Sequence, residues 1–218
     1  MASGLLLYDY WRSSAAYRVR IALNLKRLAY ESLPVHLVRD GGQQHAEAYR
    51  QLNPQQLVPA LVDGERVITQ SLAIMEYLED ICPEPVLLPP DPRGRARVRA
   101  LAQVIACDVH PLGNLRVLQY LQANFGADDE QRAQWSRHWM AAGLGAMETM
   151  LVDHVATGRF CHGDEPTLAD ICLVPQLYNA RRWKLALDDY PTLVRIDAAC
   201  AELDAFQRAA PEAQPGAA

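Results

Sequence analysis

Five prolines (Pro83, Pro85, Pro89, Pro90 and Pro92) fall in the ten residues from Pro83 to Pro92. Proline lacks the backbone N–H and fixes φ, so no helix interior or central strand runs through such a stretch. The chain must therefore fold as two bodies on either side of it. The expected division is a first domain over residues 1–83, a linker over 84–91 and a second domain over 92–218. At 218 residues the chain is long enough for each body to hold a core of its own.

Ahead of the prolines, strand-like and helix-like segments alternate. Leu5-Leu6-Leu7-Tyr8 has the length of a buried strand. Ser13 and Ser14 can cap a helix whose apolar positions Val19, Ala22, Leu23 and Leu25 fall near helical spacing. Tyr30 to Val38 reads as a second strand, Gly41-Gly42 as a loop, and His45 to Leu52 as a short helix ended by Asn53-Pro54. Pro59-Ala60-Leu61-Val62 and Arg66-Val67-Ile68-Thr69 flank Asp63-Gly64, a strong hairpin signal. Ser71 caps a third helix with Leu72, Met75, Leu78 and Cys82 on one stripe. The reading is a small α/β domain with a mixed sheet.

Beyond the prolines the pattern is all-α. Val98, Leu101, Ile105, Val109, Leu112 and Leu115 recur at helical steps and predict one long helix, kinked at Pro111. A second long helix is expected from about Glu130 to His154. Thr167-Leu168-Ala169-Asp170 reads as a capping box opening a buried helix. A last helix is expected over Thr192 to Phe206, and Ala209 to Ala218 as a Pro/Ala-rich tail that frays.

Composition narrows the function classes. Lys plus Arg is 21 and Asp plus Glu is 26, a net −5, so polyanions and anionic membrane surfaces are poor partners. Arg93, Arg95, Arg97 and Arg99 alternate along the chain, which spreads them around a helix and forms no nucleic-acid stripe. No apolar run approaches the roughly 18 residues of a membrane span, and Met1 to Tyr10 has no basic leader. The expectation is a soluble cytoplasmic protein. The five cysteines are widely spaced with no C-x-x-C, which reads as reduced thiols. The histidines show no H-x-x-x-H spacing, so no metal site is expected.

Three features of the first domain bear on chemistry. Arg12-Ser13-Ser14-Ala15 lies between the first strand and the first helix, where open backbone N–H groups and two hydroxyls make an anion site. Val58-Pro59 leads into a short strand, read as an edge strand, and can leave the Val58 backbone open to a peptide-like ligand. Gln70-Ser71 opens the third helix, with a hydroxyl and an amide placed for a carboxylate. Taken alone each has a structural alternative: an N-cap, a turn, another cap. Their order along the chain is the arrangement of a thioredoxin-like domain without its redox cysteine pair.

Ser13-Ser14-Ala15-Ala16-Tyr17-Arg18-Val19-Arg20-Ile21-Ala22-Leu23 closely resembles the pattern S-S-C-x-x-R-V-R-I-A-L of the zeta class of cytosolic glutathione transferases. Gly42-Gln43-Gln44, Leu52-Asn53-Pro54, Val58-Pro59, Gln70-Ser71-Leu72-Ala73-Ile74 and Leu87-Leu88-Pro89 fit the same class. So do His110-Pro111-Leu112-Gly113-Asn114-Leu115 and the stretch from Gly163-Asp164 to Pro175-Gln176, so the resemblance spans nearly the whole chain.

The resemblance implies a glutathione-dependent cis-trans isomerase converting maleylacetoacetate to fumarylacetoacetate in aromatic amino-acid breakdown. The alternatives are maleylpyruvate isomerisation in the gentisate pathway, or general transfer of glutathione to electrophiles such as α-halo acids. It further implies glutathione as cofactor and a homodimer. Ser14 matches the residue that hydrogen-bonds the glutathione sulfur, with Ser13 and the Ala15 backbone beside it. Gln44 and the Val58 backbone match groups that hold the peptide, and Gln70 and Ser71 those that hold the γ-glutamyl end. His110, Asn114 and Arg116 match substrate-site positions. Arg12, Arg116 and Arg182 are the candidate clamps for substrate carboxylates, Arg being preferred to Lys for its bidentate fork. Ala15 stands where the pattern has cysteine, so no protein thiol is on hand there.

Overall fold

The first strand, β1 (Leu5–Asp9), alternates buried and partly buried residues and occupies the middle of a four-stranded sheet. The computed structural model describes residues 4–217. β1 runs parallel to β2 (Tyr30–Pro34) and antiparallel to β3 (Ala60–Asp63), which pairs antiparallel with β4 (Arg66–Thr69), in the order β2-β1-β3-β4. β3 is thus an interior strand, and β4 takes the edge that the sequence reading assigned to β3. β2 stops well short of Val38: Val35 donates one last bond to the Asp9 carbonyl at 2.6 Å and the chain turns away. The hairpin is closed by Gly64-Glu65 between the paired Asp63 and Arg66, with Gly64 at φ 60.

The helices of this unit are α1 (Ser14–Leu25), α2 (Glu47–Leu52) and α3 (Ser71–Ile81). α1 buries Ala16 through Leu23, including the charged Arg18 and Arg20. Arg20 is held by Asp9, 2.7 Å away, and both are buried.

The second unit opens on α4 (Pro92–Gln103), with Pro92 in the first turn and Asp91 accepting from the Gly94 N–H at 2.8 Å. The expected single long helix does not form. Residues Val104–Val109 widen into a π-helical turn, where the His110 N–H reaches the Ile105 carbonyl at 2.9 Å. Pro111 then brings no N–H to extend the ladder, and Asn114 caps a new helix, α5 (Leu115–Phe125). α6 (Asp129–Leu151) follows a capping box of Asp128 and Gln131. α7 (Leu168–Arg182) begins at the Thr167–Asp170 capping box read from the sequence and is buried from Leu168 to Leu177. α8 (Pro191–Ala201) starts where the Glu148 carboxylate of α6 accepts from the Thr192 and Leu193 N–H groups at 3.0 Å each.

The last expected helix is in fact two. After α8, α9 (Asp204–Ala209) packs on α1: Arg20 Nε donates to the Ala209 carbonyl at 2.9 Å and Asn24 Nδ2 to the Ala205 carbonyl at 3.0 Å. The tail expected to fray is held over Pro211 to Gln214, because Pro211 is buried and Gln214 donates to the Arg208 and Ala210 carbonyls. The compact units are accordingly Met1–Val86 with Leu203–Ala218, and Leu87–Glu202. Among the described residues no helix is long and apolar enough to cross a membrane.

Candidate active site

One row of the sheet organises the first unit. Tyr8 pairs with Ala60, and Ala60 with Thr69, while Leu33 pairs with Tyr8 on the other side. The row brings four chain segments to one end of the sheet: the start of α1 beyond β1, the loop beyond β2, Val58-Pro59 ahead of β3, and the start of α3 beyond β4. These segments carry Ser13 and Ser14, Gln44, Val58, and Gln70 and Ser71. Register sets Ser13, Ser14, Val58, Gln70 and Ser71 beside the strand ends, whereas Gln44, ten residues beyond β2, is tied to the Leu37 carbonyl of that loop.

At the start of α1, Ser13 is the N-cap and its Oγ accepts from the Ala16 N–H at 3.2 Å. Tyr17 N–H bonds the Ser13 carbonyl, which leaves the N–H groups of Ser14 and Ala15 pointing out of the helix end. Ser14, the first helical residue, is half-buried with its hydroxyl beside those donors. Arg12 is exposed, with its guanidinium 5.3 Å from the Trp11 ring centroid, and no ion pair to it occurs among the described residues.

In the loop beyond β2, Gly42 has φ 102, and a Cβ there would lie 2.6 Å from Gln44 Nε2. Only glycine fits both the backbone and the amide seated on it. Gln44 is buried; its Nε2 donates to the Leu37 carbonyl at 3.3 Å and lies 3.0 Å from His45 Nε2. Its Oε1 has no hydrogen-bond partner among the described residues. The Val58–Pro59 peptide is cis, and no hydrogen bond to the Val58 backbone is seen among the described residues, since the ladder begins only at Ala60. The approach to Val58 is braced from below. Tyr49 O–H and Asn53 Nδ2 both donate to the Leu57 carbonyl at 2.7 Å, and Val58 packs with Tyr10, Val35 and Tyr49. Burial pushes the Tyr49 phenol up to about 12.

Gln70, not Ser71, is the N-cap of α3, and it holds a left-handed φ of 71 that costs a non-glycine residue strain. Its Nε2 donates to Gln55 Oε1 at 2.7 Å. Ser71, the first helical residue, is buried and its Oγ accepts from Arg18 Nη1 at 3.2 Å. That bond leaves the Ser71 proton to be donated and places a buried positive charge under a helix N-terminus, a setting for an anion. Arg18 was not among the residues chosen from the sequence. The available signal is its place one turn after Ser14, one of two arginines in the buried run Ala16 to Leu23.

The second-unit candidates have different surroundings. His110 is half-buried at the close of the π-helical turn. Asn114 has its side-chain oxygen committed, because Oδ1 accepts from the Arg116 N–H at 3.2 Å as the cap of α5. Arg116 is exposed in the first turn of α5. Arg182 is exposed as the last residue of α7, with its guanidinium 5.3 Å from the Trp183 ring centroid, and its neighbour Arg181 pairs with Asp197 at 2.6 Å. Among the described residues no group of three His, Cys, Asp or Glu side chains could hold a metal ion.

Known proteins resemble this chain in sequence and fold. The family models for the glutathione S-transferase N-terminal and C-terminal domains match residues 7–86 and 129–213. The chain is 53% identical over 213 residues to a probable maleylacetoacetate isomerase of Vibrio cholerae, covering 98% of each protein. It superposes with a TM-score of 0.95 and 51% identity on a holo structure of a maleylpyruvate isomerase, a bacterial zeta-class glutathione S-transferase, covering 98% of this chain and 100% of that one. A maleylacetoacetate isomerase of Methylobacterium extorquens solved with malonate and GSH bound gives 0.94 at 46% identity, covering 98% of this chain and 99% of that one. With family models on both halves and full-length relatives at such identity, the chain belongs to the zeta class of the glutathione S-transferase family.

Proposed function

We propose that the chain is a glutathione-dependent cis-trans isomerase that converts maleylacetoacetate to fumarylacetoacetate. The observation that carries this reading is the end of the sheet. Ser14 with two open N–H groups, the open Val58 backbone, the orphaned Gln44 oxygen and Ser71 over Arg18 together match a tripeptide bearing a thiol, peptide groups and a terminal carboxylate. Ser14, Ser13 and the Ala15 N–H would face the sulfur, Gln44 and Val58 the peptide, and Gln70 and Ser71 the γ-glutamyl end. Bound glutathione supplies a thiolate whose reversible addition frees the double bond to rotate, and it is regenerated in each turnover.

The task left to the protein is to favour the anion. A thiol with a pKa near 8.5 is only about 3% ionised at pH 7, and lowering it to about 6.5 takes about 2.7 kcal/mol. A helix N-terminus contributes about 0.3–2 kcal/mol and a hydroxyl bond to a charged group about 1.5–3 kcal/mol. Ser14 on the first turn of α1 is sufficient on these magnitudes, without a protein cysteine at position 15. Arg12, Arg116 and Arg182 are the groups proposed to meet the substrate carboxylates, and His110 to donate to the carbonyl oxygen as charge develops there. Asn114 acts by shaping the start of α5. The same reading makes the protein a cytoplasmic homodimer.

Maleylpyruvate is the second reading, favoured by the resemblance to maleylpyruvate isomerase across the full chain. The test supplies each substrate with glutathione at a small fraction of its concentration. The expected result is complete conversion of maleylacetoacetate with glutathione undiminished and the higher kcat/KM of the two. A higher kcat/KM for maleylpyruvate assigns the gentisate-type substrate instead. Stoichiometric loss of glutathione with an α-halo acid and no isomerisation makes the protein a transferase. Equal rates without glutathione overturn the whole reading.

A further inference from the structure

α6 carries a glycine in mid-helix, Gly143, where glycine weakens a helix relative to alanine. Its place is explained by the side chain that faces it. A Cβ built on Gly143 would lie 2.0 Å from Val109 Cγ2, far inside contact distance. Val109 is buried and is the last residue of the π-helical turn, so the widened backbone and the absent side chain fit each other. Two turns earlier on α6, Trp135 Nε1 donates to the Leu112 carbonyl at 2.8 Å. α6 therefore grips the segment on both sides of His110-Pro111, seating Val109 below it and anchoring Leu112 above.

We propose that Gly143 and Trp135 are positioning residues that set the imidazole of His110 for the reaction. The inference rests on the isomerase reading for its kinetic consequence but not for its geometry. Pro111 brings no N–H of its own, and beyond it the backbone is held only by longer bonds, Leu112 N–H to the Val109 carbonyl at 3.2 Å and Asn114 N–H to the Pro111 carbonyl at 3.3 Å, so the grip of α6 adds to a weakened ladder. A π-helical turn inside a helix often marks a functional site, and a side chain displaced by about an ångström can lose about 100-fold in rate.

The experiment compares wild type with Gly143→Ala, Trp135→Phe and the double variant Gly143→Ala with Val109→Ala, which removes the clashing methyl groups. Three quantities are read: kcat/KM for the cis substrate at saturating glutathione, the Kd of glutathione, and the NMR signal of the His110 ring. The expected result is a loss of about tenfold in kcat/KM for each single variant, with the Kd of glutathione within about twofold of wild type and a shifted His110 signal. The double variant is expected to recover both rate and signal to within about threefold and to the wild-type position. An unmoved His110 signal in Gly143→Ala overturns the proposal, as does a double variant no better than the single one. If Gly143→Ala does not fold, Trp135→Phe and the double variant decide by the same readouts. A wild-type protein with no isomerase activity defeats the proposed function, while the His110 signal still reports on the grip.

Discussion

Tyr49 donates its phenolic proton to the Leu57 carbonyl at 2.7 Å, one residue before the Val58 backbone. This bond joins α2 to the entry of β3, and burial raises the Tyr49 phenol to about 12, against about 10 in an unfolded chain. Between these values the unfolded chain has released the proton and the folded one has kept it. Stability from Tyr49 is thus complete below pH 10 and is lost as pH rises through about 12, by about 2–3 kcal/mol. Urea unfolding at a series of alkaline pH values is expected to show a steeper decline for wild type than for Tyr49→Phe. At pH 8 the variant should instead be less stable by about 1 kcal/mol, the worth of the lost bond.

Ser14 stands on the first turn of α1 beside two open N–H groups. Ser14→Ala should raise the apparent thiol pKa of bound glutathione by about 1–2 units, the equivalent of one hydroxyl bond to an anion. Ultraviolet absorbance of the bound thiolate against pH reads the shift. An unchanged value would remove Ser14 from this role.

Ser71 receives its hydrogen bond from Arg18 and has its own proton to give. Ser71→Ala should weaken glutathione binding by about 10–100-fold, with kcat at saturating glutathione nearly unchanged. Calorimetric titration measures the first and steady-state kinetics the second. A larger fall in kcat than in affinity would place Ser71 in the chemistry instead.

Arg20 satisfies Asp9 through Nη1 at 2.7 and 3.0 Å and spends its other donors on the carbonyls of Trp11 and Ala209. Arg20→Leu leaves a buried carboxylate without its partner, which costs about 3–5 kcal/mol. Chemical denaturation should show this loss, and Asp9→Asn added to Arg20→Leu should restore part of it by removing the stranded charge.

The hairpin at Asp63-Gly64 and the capping box at Thr167–Asp170 were readable because turn and cap chemistry is local. The features that were not readable depended on partners distant in the chain. The apolar spacing from Val98 to Leu115 continues straight through the π-helical turn, since periodicity does not register one extra residue per turn that is accommodated by Gly143 on another helix. Arg18 reads as one more charge until Ser71 is seen above it, 53 residues away. Asn114 reads as a polar site residue, yet its oxygen is engaged by the Arg116 N–H, a competition between capping and binding that residue type alone does not resolve.

The segment Leu203–Ala218 lies with the unit that begins the chain, clasped to α1 by Arg20 and Asn24. A ribosome therefore releases the opening four strands long before the piece that completes their packing arrives. Until then the Arg20 guanidinium lacks its acceptor on Ala209, and the flank of α1 stays open to water. A fragment ending near the prolines would carry every first-unit group proposed to meet glutathione and still be an unfinished body, so the half that is made first matures last.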